Sequence, residues 1–305
     1  MKARRGRWAG LPTEARNPRS RKLDTLSTER VVALILDEGR RAIAAAERER
    51  ASITRAARRV AQTLARGGSV VFLGAGTSGR LGVLEAAECP PTFGISRRRV
   101  RGVMAGGARA VSHPVEGAED RADRGRLEAR RLGRGDLLIG ISASSVTPFV
   151  RGALAAARSR RTTTVLLTCA PGPGLSRLAD VIVAIATGPE VLTGSTRLKA
   201  GSVTKAVLNA VTTAAMVRLG KTYRNLMVDV QPTSAKLEDR ARRIVAEATA
   251  LSPGAARRAL AAAGGEVKTA IVMVRLGLSA RDARRRLADA SGHVRRALGG
   301  SRRSS

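Results

Sequence analysis

The sequence predicts an α/β fold: an open parallel sheet with helices on both faces, followed by a small all-α C-terminal segment. Between residues 69 and 219, short β-branched runs alternate with helical stretches, the pattern of strand–helix–strand units. Past Val230 the strand-like runs stop. Short helices take over, separated by Ser252-Pro253, Gly264-Gly265 and Gly277-Leu278-Ser279. A chain of 305 residues that is 43% hydrophobic can build one large domain and a smaller one. Aromatic residues make up only 2%, so Ala, Val and Leu must fill the core.

Residues 1–26 form a basic N-terminal arm. Gly6, Gly10, Pro12 and Pro18 break its first stretch, which reads as flexible and leads to the motif Thr13-Glu14-(x)2-Asn17. The main domain spans 27–234. It begins with a helical region, 27–65, which Ser27 or Thr28 can cap and in which Val31, Leu34, Ile35, Ile43 and Ala44 form an apolar stripe. Strands are expected at Ser69–Leu73, Val100–Met104, Asp136–Ile141, Thr162–Cys169 and Val181–Ala186. Helices are expected between and after them at 78–88, 148–160 and 200–219. Residues 235–305 form the helical C-terminal domain and a basic tail, with helices at 235–250, 253–263, 266–277 and 280–298.

The formal net charge of +32 comes almost wholly from Arg. Such a field attracts nucleic acid, anionic surfaces or anionic substrates. The Arg residues are scattered over predicted helices and both tails, and no aromatic residues interleave with them for base stacking. No specific nucleic-acid partner is therefore expected. The field would still help recruit an anionic substrate. Cys89 and Cys169 cannot build a disulfide framework, and with only 2 His and no Cys/His cluster a zinc site is not expected. The N-terminus lacks an apolar stretch of signal-peptide type, and no apolar run approaches the ~18 residues of a membrane span. These features lead to the expectation of a reducing cytoplasm and no membrane partner.

The chemistry is concentrated at turns. Gly74-Ala75-Gly76-Thr77-Ser78-Gly79-Arg80 directly follows a strand and opens a helix. Glycines let backbone approach a ligand, and helix N-terminal amides with Thr and Ser hydroxyls form an anion cradle. The third glycine is one place early for a dinucleotide loop, and the Lys of a nucleotide triphosphate loop is missing. A monophosphate suits Gly76, Thr77 and Ser78 better, although the loop alone also fits an ordinary strand–helix turn. Ser142-Ala143-Ser144-Ser145-Val146-Thr147-Pro148 repeats the logic after the third strand. Two such strand ends imply a shared crevice.

Glu85 and Glu88 share a helix face, and Pro90-Pro91 is expected to stop that helix. A carboxylate there meets the negative end of the helix dipole, which favours its proton-donating form; a solvated surface Glu is the plain alternative. His113-Pro114-Val115-Glu116-Gly117-Ala118-Glu119-Asp120 gathers acids within a turn, a pattern that also suits the first turn of a helix. Residues 189–201 form a third hydroxyl-bearing turn, in which Glu190, Ser195 and Lys199 are candidate substrate contacts.

The segments LGAGTSGRLGVLEAAECPPTFG, VEGAEDRAD, TGPEVLTGSTRLKAGSVTK and NLMVDVQPTSAKL, with TEARNPRSRKLDTLST near the start, resemble the N-acetylmuramic acid 6-phosphate etherase family, collinearly over about residues 13–298. The resemblance implies a sugar-isomerase (SIS) fold, a flavodoxin-like parallel sheet flanked by helices, working as a homodimer. It implies release of D-lactate from N-acetylmuramic acid 6-phosphate in cell-wall recycling, giving N-acetylglucosamine 6-phosphate. No metal or redox cofactor is implied. It puts the proton donor at Glu88, a second active-site acid at Glu119, and phosphate contacts at Thr77, Ser78, Ser144 and Thr147. The implied reaction is elimination followed by hydration, which needs two groups that exchange protons near neutrality.

Where the family reads Ala-Ser-Gly-Arg-Thr-Pro, this chain has Ala143-Ser144-Ser145-Val146-Thr147-Pro148. Ser145 stands in for a glycine and would be strained at positive φ, and Val146 removes a cation from beside the sugar. A straight helix rising ~1.5 Å per residue places Glu88 about 15 Å from the phosphate loop. That separation leads to the expectation that Glu88 acts on substrate held by a partner subunit, in a shared active site. The alternative is a non-catalytic sugar-phosphate regulator of the same fold, resembling glucokinase regulatory proteins. Such a protein could dispense with Glu88 and Glu119. The segments around these two acids also disfavour a sugar-phosphate isomerase.

Overall fold

The computed structural model describes residues 10–230 and 234–299. These group into two compact units. One holds the described chain up to Ala87 together with Arg97–Thr212, and the other holds Glu88–Ser96 with the described chain from Thr213 onward.

In the first unit, β1 (Val70–Gly74), β2 (Val100–Met104), β3 (Leu137–Ile141), β4 (Thr163–Thr168) and β5 (Val181–Ala184) form one sheet in the order β2-β1-β3-β4-β5. Every pairing is parallel. β1 and β3 are buried along their whole length, because a parallel strand inside a sheet has helices over both faces. Alternate residues divide between those faces. Val71, Leu73, Leu138 and Leu166 pack with Phe149, Val150 and Leu154 of α6 (Pro148–Ser159). Phe72 faces the other way, toward Gly82 in α3 (Gly76–Phe93). The remaining helices are α1 (Thr28–Arg48), α2 (Arg50–Ala65), α4 (Arg109–Ser112), α5 (Ala122–Ala129) and α7 (Lys199–Arg218), the last running on past Thr212.

Ser27 caps α1 by accepting from the Arg30 amide at 3.3 Å. The buried face of α1 consists of Glu38, Ala42, Ala45 and Ala46, whereas Val32, Ile35, Leu36 and Ile43 stay exposed. The expected stripe through Ile35 and Ile43 is thus not the buried one. Small alanines allow a closer approach and win the packing face.

From Pro12 on, the predicted flexible arm is built into the unit. Short 3-10 turns at Pro12–Glu14, Pro18–Ser20 and Leu23–Thr25 bury Thr13, Asn17 and Ser20. Hydrogen bonds to distant chain, not apolar burial, hold them. Ser20 Oγ donates to the Val191 carbonyl at 2.7 Å, for example.

The second unit contains α8 (Ala235–Thr249), α9 (Pro253–Ala262), α10 (Val267–Leu276), α11 (Ala280–Asp289) and α12 (Val294–Ala297). Ile244, Val245, Ala256, Ile271, Val272 and Leu287 are at its core. The helix expected over 280–298 is divided, because Ser291 (φ 52°) and Gly292 (φ 77°) take left-handed conformations that a right-handed helix cannot contain. The predicted stop at Pro90-Pro91 is also corrected: α3 continues to Phe93. Each proline removes only its own N–H bond, and the Pro90 carbonyl still accepts from the Gly94 amide at 2.9 Å. Gly94, at φ 61°, is the terminator. Glu88 therefore lies more than a turn inside the helix, and the helix-end field invoked for it does not act there.

Cys169 follows β4 and is buried, with Sγ near the Ala200 carbonyl (3.7 Å) and Thr204 Oγ1 (3.8 Å). Burial pushes its thiol up to about 11. In a Cys89→Ser chain at pH 8, Cys169 should react with a disulfide reagent about a hundredfold more slowly than a free thiol, and normally once the chain is unfolded. Absorbance of the released thiolate measures both rates.

Candidate active site

In a sheet of this order, the crossovers from β1 and from β3 leave in opposite directions, which opens a crevice at the carboxyl ends of the two strands. A cleft of about 450 Å³ lies there. On the β1 side the close approach of Gly74 and Gly79 shapes the loop. A side chain at Gly74 would start 2.7 Å from the Gly79 nitrogen, so neither position tolerates a Cβ without the turn opening. This tight turn brings Gly76, Thr77 and Ser78 into the cleft wall at the start of α3.

On the β3 side, Ser144, Val146 and Thr147 line the cleft just before α6. Their loop is tied to the sheet: the Cys169 amide and Thr168 Oγ1 donate to the Ala143 carbonyl (3.0 and 3.2 Å), and the Ser142 and Thr147 hydroxyls bond at 2.9 Å. Ser145 sits at φ 63°, so the strain expected of a side chain in the left-handed region is present. Two helix N-termini thus meet at the cleft, and each offers unpaired amides and the positive end of a helix dipole.

Glu119 and Asp120, in the 3-10 turn Ala118–Asp120 after Gly117, close another wall. Glu116 instead lines a separate hollow of about 890 Å³ along β2, where Val103, Met104, Val111 and Phe149 predominate. Among the described residues that line this hollow none bears a hydroxyl, and its polar groups are Glu116, Glu128, Arg121 and Arg124. His113 is exposed and bonds Ser112 Oγ at 2.9 Å.

Six of the ten predicted site residues therefore meet in the one cleft: Gly76, Thr77, Ser78, Glu119, Ser144 and Thr147. Ser195 stands between Gly194 and Thr196, which line it, and its backbone bonds Leu192 and Leu198. Glu190 and Lys199 are not in the cleft. Glu190 is buried and accepts from the amides of Lys199 (3.2 Å) and Ala200 (2.9 Å), capping α7. Burial raises its carboxyl above the usual range, against the pull of those two amides.

Lys199 forms a buried ion pair with Glu38, which also accepts from Asn17 Nδ2 (3.1 Å) and Arg19 Nη1 (2.6 Å). Burial pulls the Glu38 carboxyl up, but Lys199 and Arg19 outweigh it and hold the group below its usual range. Glu85 is likewise buried, accepting from Lys205 Nζ and Thr212 Oγ1, each at 2.6 Å. Glu88 is exposed, in the segment grouped with the helical unit.

Sequence reasoning did not place Leu11, Thr13, Glu14 and Asp120 in the cleft. The signal for Thr13 and Glu14 was their motif spacing with Asn17. Among the described residues that line the cleft, none is cationic, while Glu14, Glu119 and Asp120 are acids.

Comparison with known proteins now gives this geometry a family. Over 274 residues, the chain is 48% identical to an N-acetylmuramic acid 6-phosphate etherase of Mycolicibacterium smegmatis, covering 89% of this chain and 92% of that one. It belongs to the N-acetylmuramic acid 6-phosphate etherase family. A relative of the same name from Rubrobacter xylanophilus is 50% identical (89% and 91% covered), and one from Glaesserella parasuis is 47% identical (87% and 88%). Residues 52–158 also match the family model of the glucokinase regulatory protein N-terminal SIS domain. The expected SIS-type fold is borne out by the parallel five-stranded sheet and by this match.

Relief of the strain at Ser145 should stabilise the chain. Ser145→Gly is expected to gain about 1 kcal/mol, less the added freedom of the unfolded glycine, read as a raised Tm in calorimetry. Glu38 titrates lower when folded than when unfolded. Its contribution is therefore complete above the unfolded value of about 4.3 and is lost as pH falls through the folded one. Glu38→Gln, which strands Lys199, should cost about 3–5 kcal/mol at pH 7. The difference from the parent should shrink below about pH 4, measured by urea unfolding across pH.

Proposed function

We propose that the cleft binds N-acetylmuramic acid 6-phosphate and that the protein cleaves its lactyl ether, giving N-acetylglucosamine 6-phosphate and D-lactate in cell-wall amino-sugar recycling. The observation that carries this is the meeting of Thr77, Ser78, Ser144 and Thr147 with Glu119 in one cleft. Hydroxyls and the N-terminal amides of α3 and α6 suit a phosphate without a lysine or a metal. Family membership gives the reaction class, a carbon–oxygen lyase.

In this reading a base removes the proton on carbon 2. The carbon 3–oxygen bond then breaks, with Glu88 protonating the departing lactate oxygen and Glu119 as the second active-site carboxylate. Water adds across the resulting double bond, its hydroxyl to carbon 3 and a proton to carbon 2. Glu88 lies about three turns along α3 from the phosphate loop, so it would serve substrate held by a second copy of the chain. The exposed apolar side chains of α1, Val32 (51%) and Leu36 (68%) among them, support such a homodimer. No helix among the described residues is long and apolar enough to cross a membrane. With two buried cysteines and no disulfide among the described residues, a reducing cytoplasm is the compartment that fits.

The match to the glucokinase regulatory domain favours a second reading, a non-catalytic sugar-phosphate regulator. Glu88 and Glu119 favour the enzyme. Incubation with N-acetylmuramic acid 6-phosphate in oxygen-18 water decides between them: D-lactate should form, with label in the sugar. Binding without any lactate would leave the regulator. Glu88→Ala and Thr77→Val chains, each inactive, should regain activity when mixed as verified heterodimers; no recovery would count against a shared site.

A further inference from the structure

We propose that Glu14 is a sugar-contacting, specificity-determining residue, and that the buried Asn17–Glu38–Lys199 cluster is the device that positions it. The inference rests on the phosphosugar reading of the cleft. Thr13 and Glu14 line the same cleft as the phosphate-loop residues 76–78. Glu14 is exposed, and among the described residues its carboxylate accepts from the Thr13 hydroxyl alone, at a long 3.4 Å. Its carboxylate oxygens are thus largely unspent on protein donors. Glu14 Oε2 lies 3.2 Å from where a Cβ on Gly194 would begin, so the bare backbone of that residue, at φ 78°, makes room for the carboxylate.

What holds Glu14 there is remote from it. The segment is fixed three residues later, where Asn17 Nδ2 donates both to Glu38 and to the Pro189 carbonyl, each at 3.1 Å. Ser20 adds its bond to the Val191 carbonyl. Glu38 in turn is paired with Lys199, at the start of α7, and with Arg19. One buried carboxylate therefore joins the strip that bears Glu14 to the 189–199 loop that bears Gly194 and Thr196. An ion pair this buried is a weak source of stability, but it fixes one arrangement of the segments it joins.

A fixed carboxylate among described lining residues that include no cation is a poor neighbour for phosphate; it accepts from neutral donors. The phosphate end of the ligand then lies at Thr77, Ser78, Ser144 and Thr147, and Glu14 takes a sugar hydroxyl or the acetamido N–H. A site built to accept such a bond discriminates against ligands that lack the donor.

The test uses the full chain and two probes, N-acetylglucosamine 6-phosphate and inorganic phosphate, by titration calorimetry. Glu14→Ala should weaken the sugar phosphate ~10–100-fold and leave inorganic phosphate unchanged, with Glu14→Gln losing less. Equal sugar-phosphate affinity in Glu14→Ala overturns the contact. Asn17→Ala, with its circular dichroism intact, should weaken the sugar phosphate in the same selective way; equal loss for both probes, or none, overturns the positioning role. A parent chain that binds neither probe overturns the phosphosugar reading and this inference with it, and is seen before any variant is made.

Discussion

The site depends on one constraint, the parallel pairing of β1 between β2 and β3. Parallel strands place all their carboxyl ends at one edge, and each connection must cross a face of the sheet before the next strand begins. With the order β2-β1-β3-β4-β5, the chain leaves β1 for one side and β3 for the other. The loops after these two strands are left lining one crevice. Much of the chemistry in the cleft follows: two hydroxyl-bearing turns, two helix N-termini, and the acidic turn at 118–120 that the β2 connection brings round.

Charge is distributed in the opposite sense to what the net value suggests. The chain carries a formal +32, yet the described lining of the cleft is acidic, and its attraction for an anion must come from backbone amides and hydroxyls. The surplus Arg residues act as a distant field, while the cations that are buried, Lys199 above all, are committed to carboxylates. Burial of Lys199 against Glu38 is expensive in desolvation. Its return is a fixed geometry at the rim of the cleft.

Local chemistry made much of this legible beforehand. Short apolar runs bounded by turn residues announced β1, β3 and β4 within a residue or two, since a fully buried strand has few other compositions open to it. The hydroxyl turns after β1 and β3 were legible for the same reason: only Gly, Ser and Thr fit a backbone that must bend tightly and still offer donors. Errors arose where a residue's usual behaviour yielded to its surroundings. Pro90 and Pro91 did not end α3, because losing two N–H bonds is tolerable when the bond from Gly94 remains. From Pro12 on, the N-terminal arm is held through Asn17 and Ser20, which sequence composition could not reveal. Glu190 and Lys199, read as ligands from their types, are buried and bonded to the start of α7 and to Glu38, and neither lines the cleft.

The sequence by itself determined the alternation of strand and helix, the hydroxyl-bearing turns and the family, because each is written in residues close together along the chain. Only the tertiary structure decided which of those turns meet, and that Glu14 joins them. The bond from Asn17 to Pro189 spans 172 positions, and the pair of Glu38 with Lys199 spans 161. Contacts over such separations follow from how the sheet is wound, and no local periodicity records them.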